Sequence, residues 1–266
     1  MADLKNCKNE AQVYVILSRA QRLSQIFIIG KLHEKKWYAA KSALDELQRC
    51  ETKAYQSRLR SYESCLDIIS LNVLSLQKHF IDVQKYLECH RHDPDVICLQ
   101  ETWLQENCDT TQYDLHGYDL NVNSVGRGKG IATYSRNEFI SETNISRTDI
   151  QITKVKSNKF TVINTYRSEG CDELETLLSS LITDPENTIV CGDMNIDLKK
   201  TGQKQTKLLK FLEDFKLKQV VSDSTHEKGG LLDHVYVNEK ICEKVIITKK
   251  SIRFSDHDII CISIKK

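Results

Sequence analysis

In the stretch CGDMNID, Cys191 to Asp197, a carboxylate at Asp193 and an amide at Asn195 follow directly on the apolar run Thr188-Ile189-Val190. Four other places share this form, with polar functional groups after or inside an otherwise apolar run. They are S-L-N-V with Asn72, L-Q-E-T with Glu101, L-D-H-V with Asp233, and S-D-H-D with Asp256 and His257. An unpaired charge buried beside a strand is costly, so each requires a divalent metal or an ion-pair network as partner. Carboxylates, amides and an imidazole are also what phosphodiester hydrolysis needs. That reaction takes an oriented water, a cation to offset charge on the non-bridging oxygens, and preorganised donors around a pentacoordinate phosphorus. Singly, each residue has a plainer reading: Asn72 as a turn amide, Glu101 as a cap, Asp193 as a turn residue, Asp256-His257 as exposed polar residues before the last strand. Their joint occurrence, each at the end of an apolar run, favours one shared site.

The elements that must position these groups are short apolar runs: LDIISL, VICLQ, GIATYS, IQITKV, FTVINTY, NTIVCG, LDHVYV, VIIT and DIICISI. Helical periodicity lies between some of them, near 76 to 91, 171 to 182 and 204 to 216. Many short strands with interspersed helices over about 200 residues predict an α/β domain with stacked sheets. The only two prolines, Pro94 and Pro185, each precede an apolar run and mark a helix handing over to a strand. Gln100-Glu101 and Gly192-Asp193 therefore occupy equivalent places, just past the carboxyl end of a buried strand, where α/β enzymes hold their ligands. Gly126, Gly128 and Gly130 lack the K-[ST] of a phosphate loop and predict a hairpin turn into Ile131 to Tyr134. His226, in S-T-H-E-K-G-G, is read as a loop residue, the alternative being a place near the site.

In the order N…QET…Y-R…GDxN…LDH…SDH, over roughly residues 65 to 266, the chain resembles the endonuclease/exonuclease/phosphatase superfamily. That superfamily includes apurinic endonucleases, pancreatic-type deoxyribonucleases and the endonucleases of non-LTR retrotransposons. QETWL, GKGIATYSR and LDHVYVN look most like its mobile-element branch. The resemblance implies a four-layered α/β sandwich over 63–266, with two packed mixed β-sheets flanked by helices. It implies a divalent-metal-dependent DNA endonuclease that leaves a 3′-hydroxyl and a 5′-phosphate. The alternatives are a phosphatase of lipid or nucleotide phosphates, or a catalytically silent relic that binds nucleic acid.

Residue by residue, the resemblance implies that Asn72 and Glu101 hold one cation with Asp256 nearby. Hard oxygen donors suit Mg²⁺, with Mn²⁺ as a substitute. Asp193 then orients or deprotonates the attacking water, and Asn195 and His257 face the phosphoryl oxygens. Asp233 bonds to His257 and favours its charged form, and Tyr166 donates to the scissile phosphate. Arg167, beside Tyr166, has two readings from the residue itself: a contact to a DNA phosphate, or a solvated arginine. Many apurinic endonucleases carry an acid two positions after the first-strand asparagine, where this chain has Leu74. That argues against abasic-site repair and leaves a second metal position open.

The front, 1–62, reads differently. Gln12 to Gly30 resembles the last conserved motif of Helitron-type superfamily-one DNA helicases, with Arg19 at the position that reaches the γ-phosphate of ATP. No phosphate loop occurs in the 266 residues, so helicase activity is not expected. The segment reads as a helicase remnant followed by a linker helix, in a gene fragment or truncated reading frame. Its twelve Lys/Arg against six Asp/Glu make it basic, whereas the remainder holds 26 against 31. DNA is the expected partner, with no membrane and no obligate protein partner. Ten cysteines without a C-x-x-C pair read as reduced thiols, hence a nuclear or cytoplasmic setting. The spacing Cys89-His90-x-His92 with Cys98 matches no common zinc site.

Overall fold

The computed structural model describes residues 65–89 and 93–265. The front segment, with Arg19 and its linker helix, lies outside the described residues, as do His90 and His92. Elements follow one another in chain order as β1 (Cys65–Asn72), α1 (Leu76–Cys89), β2 (Val96–Gln100), β3 (Asp119–Asn123), β4 (Ile131–Ser135), β5 (Ile140–Arg147) and β6 (Ile150–Lys156). Then come β7 (Thr161–Arg167), α2 (Leu174–Leu181), β8 (Thr188–Asp193), α3 (Gln203–Asp214), β9 (Leu217–Gln219), β10 (Asp233–Asn238), β11 (Val245–Lys250) and β12 (Ile259–Lys265).

The strands form two six-stranded mixed sheets, ordered β11-β12-β1-β2-β4-β3 and β5-β6-β7-β8-β10-β9. Each contains one parallel pair, β1 with β2 and β7 with β8, joined through α1 and α2 respectively. A parallel pair needs such a crossover, and the crossover puts a helix on the outer face of the sheet. The result is the expected four-layered α/β sandwich.

Alternation along the strands builds three cores. In β1, Leu66 and Ile68 turn inward to meet Val162, Ile189, Cys191, Val235 and Val237 of the other sheet. Ile69 and Leu71 turn outward, with Ile97 and Leu99, onto Leu76, Phe80 and Val83 of α1. The mirror arrangement packs Ile163, Val190 and Tyr236 against Leu174 and Leu178 of α2 and Leu208 and Leu212 of α3. Strands buried on both faces carry continuous apolar runs, which is why these segments stand out in the sequence.

Three strands have no counterpart among the apolar runs: β3, β5 and β9. All are sheet edges, and β5 (ISETNISR) is exposed at most positions. One face and one flank of an edge strand meet water, so little in its composition marks it. Cys98 and Cys191 are buried free thiols, Cys89 is exposed, and Cys108, Cys171, Cys242 and Cys261 are half-buried. Among the described residues, no helix is long and apolar enough to cross a membrane.

A polar strut joins the sheets. The Gln100 side-chain amide on β2 donates to Asn164 Oδ1 on β7 at 2.7 Å, and Asn164 Nδ2 donates to Thr133 Oγ1 on β4 at 3.0 Å. All three side chains are fully buried. The strut fixes the register of one sheet over the other directly beneath the ends of β1, β2, β7 and β8.

Candidate active site

The chain leaves β1 and β2 side by side. Val73, Ser75 and Leu76 donate their backbone N–H groups to the carbonyls of Gln100, Glu101 and Thr102. Thr102 and Trp103 in turn donate to the carbonyls of Gly130 and Lys129, where a Cβ on Gly130 would lie 2.8 Å from Thr102 Oγ1. Glycine is required there, both for this approach and for its φ of +91°. Glu101 itself is left-handed, at φ 51°. That conformation breaks the strand and costs a non-glycine residue about 1 kcal/mol. It sets Glu101 Oε1 3.0 Å from Asn72 Nδ2, while Trp103 Nε1 donates to Oε2 at 3.2 Å.

The second sheet supplies the facing group. In β8, Gly192 lies so close to β7 that a Cβ would sit 1.9 Å from the Thr165 carbonyl oxygen. Asp193 follows, fully buried, and accepts from Asn72 Nδ2 at 2.9 Å and from the Asn195 N–H at 3.0 Å. Its register partner in β10 is Asp233. Burial pushes the Asp193 carboxyl up to about 7, with the neighbouring Asp233 acting in the same direction, against the pull of His257, the Asn195 N–H and Asn72. Thr225 Oγ1 accepts the N–H groups of Leu232 and Asp233 and so anchors the start of β10.

His257 closes the constellation from the loop before β12. Its Nδ1 lies 2.8 Å from Asp233 Oδ2, and its Nε2 lies 3.5 Å from Asn72 Nδ2 and 3.9 Å from Asp256 Oδ1. Burial disfavours its charge, but Asp233, Asp193 and Asp256 together outweigh that and raise it to about 9. Tyr166 is buried and donates to the Gly128 carbonyl at 3.0 Å, with Glu101 Oε1 at 3.5 Å. Burial and the charges of Glu101 and Asp193 raise its pKa.

The structure thus brings Asn72, Glu101, Tyr166, Asp193, Asn195, Asp233, Asp256 and His257 together, from both sheets. Two of them depart in detail from expectation. Asn72 presents Nδ2 to the carboxylates, while its Oδ1 accepts the Leu74 N–H at 3.2 Å. Asn195, left-handed at φ 48°, commits Nδ2 to the Arg167 carbonyl at 2.8 Å.

Arg167 is placed contrary to the expectation of a phosphate contact. It is buried, and its guanidinium donates to the carbonyls of Cys171 at 2.6 and 2.8 Å and Met194 at 3.1 Å. Consecutive strand residues face opposite sides, so with Tyr166 turned to the site Arg167 must turn away. It props the Met194-Asn195 backbone from behind instead.

Three further residues support the site, and of these His234 and Asp197 carry no role in the sequence reading. His234 is buried and neutral, its pKa lowered to about 4 by burial, and its Nε2 lies 2.9 Å from the Ile196 carbonyl. Asp197 accepts the N–H groups of Leu231 and Lys199. His226 contacts both Asp256 and His257. The repeated D-H of LDH and SDH was the available signal for His234. None existed for its inward orientation.

The donor set fits a hard divalent cation. Glu101, Asp193, Asp233 and Asp256 converge with one cationic histidine, and two buried carboxylate oxygens, Asp233 Oδ1 and Asp256 Oδ1, have no hydrogen-bond partner. Four carboxylates share the single positive charge of His257, and buried carboxylate oxygens left without a hydrogen bond favour a further cation.

The sequence model of the Endonuclease/Exonuclease/phosphatase family matches residues 69–257, from within β1 to His257. The chain belongs to that family. Membership places it among hydrolases of phosphate esters. Solved structures with the same fold include a 3′-5′ exonuclease from Neisseria meningitidis, 17% identical with a TM-score of 0.63, covering 76% of this chain and 100% of that one. An AP endonuclease from Archaeoglobus fulgidus is 18% identical, with a TM-score of 0.60 and coverage of 74% and 98%. The endonuclease domain of a telomere-specific non-LTR retrotransposon is 11% identical, with a TM-score of 0.57 and coverage of 75% and 98%. No curated protein matches the sequence.

Proposed function

We propose that this family member is a Mg²⁺-dependent DNA endonuclease of a transposable element, with Mn²⁺ able to substitute, that nicks one strand and leaves a 3′-hydroxyl and a 5′-phosphate. One observation carries the reading: Asn72, bonded to Glu101 and Asp193, stands between a carboxylate of each sheet and beside the Asp233-His257 pair. Glu101 and Asp256 would hold the cation, whose chemistry is to offset charge on the phosphate oxygens, and Asn72 would join them only by turning its amide so that the oxygen leaves the Leu74 N–H.

The other steps belong to the chain's own groups. Asp193, with a carboxyl near 7, orients a water and accepts its proton as the water oxygen attacks phosphorus. The P–O3′ bond breaks, and the 3′ oxygen takes up a proton from solvent. His257, kept cationic by Asp233, faces a phosphoryl oxygen and stabilises the growing charge. Tyr166 donates to the same phosphate by exchanging its bond to Gly128. Asn195, held by Arg167 and Asp193, stays beside the water site. The basic front segment adds phosphate contacts to the acidic domain, and the free thiols suit a nuclear or cytoplasmic protein.

The test is supercoiled plasmid incubated with the full chain and Mg²⁺. The nick should be extended by a DNA polymerase without prior phosphatase treatment. A nick that requires phosphatase contradicts the polarity. Release of inorganic phosphate from 3′-phosphorylated DNA or small phosphate esters, without nicking, transfers the site to the phosphatases of the family.

A further inference from the structure

The turn from Thr225 to Gly230 is latched to the loop that carries Asp256 and His257. Glu227 N–H donates to the Asp256 carbonyl at 2.8 Å, Asp258 N–H donates to the Thr225 carbonyl at 2.7 Å, and His226 and His257 form an isolated antiparallel bridge. This brings the His226 ring edge-on to the His257 ring, with centroids 4.7 Å apart and planes at 85°. Its Nε2 lies 3.3 Å from Asp256 Oδ2.

The proton on that ring can be assigned from its partners. His226 Nδ1 accepts the Lys228 backbone N–H at 3.0 Å, so the ring proton sits on Nε2 and points at Asp256. A nitrogen carrying a proton donates and does not ligate. The trio His226, Asp256 and His257, although close enough to enclose an ion, is therefore no three-ligand metal site in this arrangement. His226 instead occupies one oxygen of Asp256. The other, Oδ1, stays buried, unbonded and 3.9 Å from His257 Nε2, on the side of the catalytic groups.

We infer that His226 is a positioning residue: its Nε2–H holds the Asp256 carboxylate in the one orientation that offers Oδ1 to the cation. The inference rests on the proposed role of Asp256 as a cation ligand. Outer partners that orient a ligating carboxylate typically change metal affinity by about 10- to 100-fold. The Lys228 N–H, which selects the tautomer, is part of the same device.

Binding of Mn²⁺ to the folded full chain, read by electron paramagnetic resonance of the free ion, tests this without reference to turnover. His226→Phe keeps an edge-on ring against His257 and removes the donor, whereas His226→Gln restores an N–H at similar reach. The expected result is Mn²⁺ affinity weakened by about 10-fold or more in His226→Phe and largely recovered in His226→Gln, with Asp256→Asn weakened at least as much as His226→Phe. If Asp256→Asn is weakened and His226→Phe binds like wild type, the positioning role is overturned and the cation site stands. If Asp256→Asn binds like wild type, the ligand assignment itself fails. Should His226→Phe not fold, ¹⁵N chemical shifts of wild-type His226 decide. An Nε2–H ring supports the inference and an Nδ1–H ring overturns it.

Discussion

Replacing Asp233 by Asn removes the charge on which His257 depends, and its effect on stability should vanish as the pH rises. In the folded protein His257 is raised from 6.5 to about 9, against the effect of burial, chiefly by the charge and hydrogen bond of Asp233. At about 1.4 kcal/mol for each tenfold change in proton affinity, that is worth roughly 3 kcal/mol. The folded value lies above the unfolded one, so the contribution is complete below pH 6.5, declines between 6.5 and 9, and is absent beyond. Asp193, raised from 3.8 to about 7, acts with the same sign in a lower window and is spent by pH 7. Urea unfolding of the EDTA-treated protein at pH 6, 7, 8 and 9 should therefore show wild-type stability falling across this range. Asp233→Asn should fall less steeply. The gap between the two should be widest at pH 6, on the order of the roughly 3 kcal/mol carried by the net His257 shift, and shrink towards pH 9. Parallel profiles, or a wild type that gains stability above pH 7, would refute the reasoning about this pair.

Other substitutions probe the scaffold and the chemistry separately. Gly192→Ala would drive a Cβ into the Thr165 carbonyl at a φ of +132°, and should cost about 3 kcal/mol or more in urea unfolding. Arg167→Met leaves the Cys171 and Met194 carbonyls unpaired, and should destabilise by about 2 kcal/mol or more while leaving the salt dependence of DNA binding unchanged. A reduced salt slope in that variant would restore the phosphate contact. Tyr166→Phe keeps the buried ring, and should lower the single-turnover nicking rate by about 10²-fold with little change in unfolding midpoint.

Much of this architecture was legible because it is buried. β1, β2, β7, β8 and β10 are covered on both faces, so hydrophobicity alone locates them, and their carboxyl ends then point to Asn72, Glu101 and Asp193. The edge strands β3, β5 and β9 carried no such mark. At the site, residue type and position were readable but orientation was not. Strand alternation could have placed Arg167 opposite Tyr166. The carbonyls that hold it, Cys171 four residues on and Met194 27 residues on, are presented by loops whose paths no local pattern gives. His226 offered only a histidine in a glycine-rich turn. Its relation to Asp256 arises from the latch between two loops, which no local pattern encodes.

The most direct test of the account is the rate of plasmid nicking by wild type, Asp193→Ala and His257→Ala, each verified as folded, in Mg²⁺, Mn²⁺ and EDTA. Nicking by wild type with either cation, abolished by EDTA and reduced at least about 10²-fold in both variants, is the predicted result. Nicking that survives in Asp193→Ala, or its absence from folded wild type with both cations, would contradict the assignment of this site to DNA cleavage.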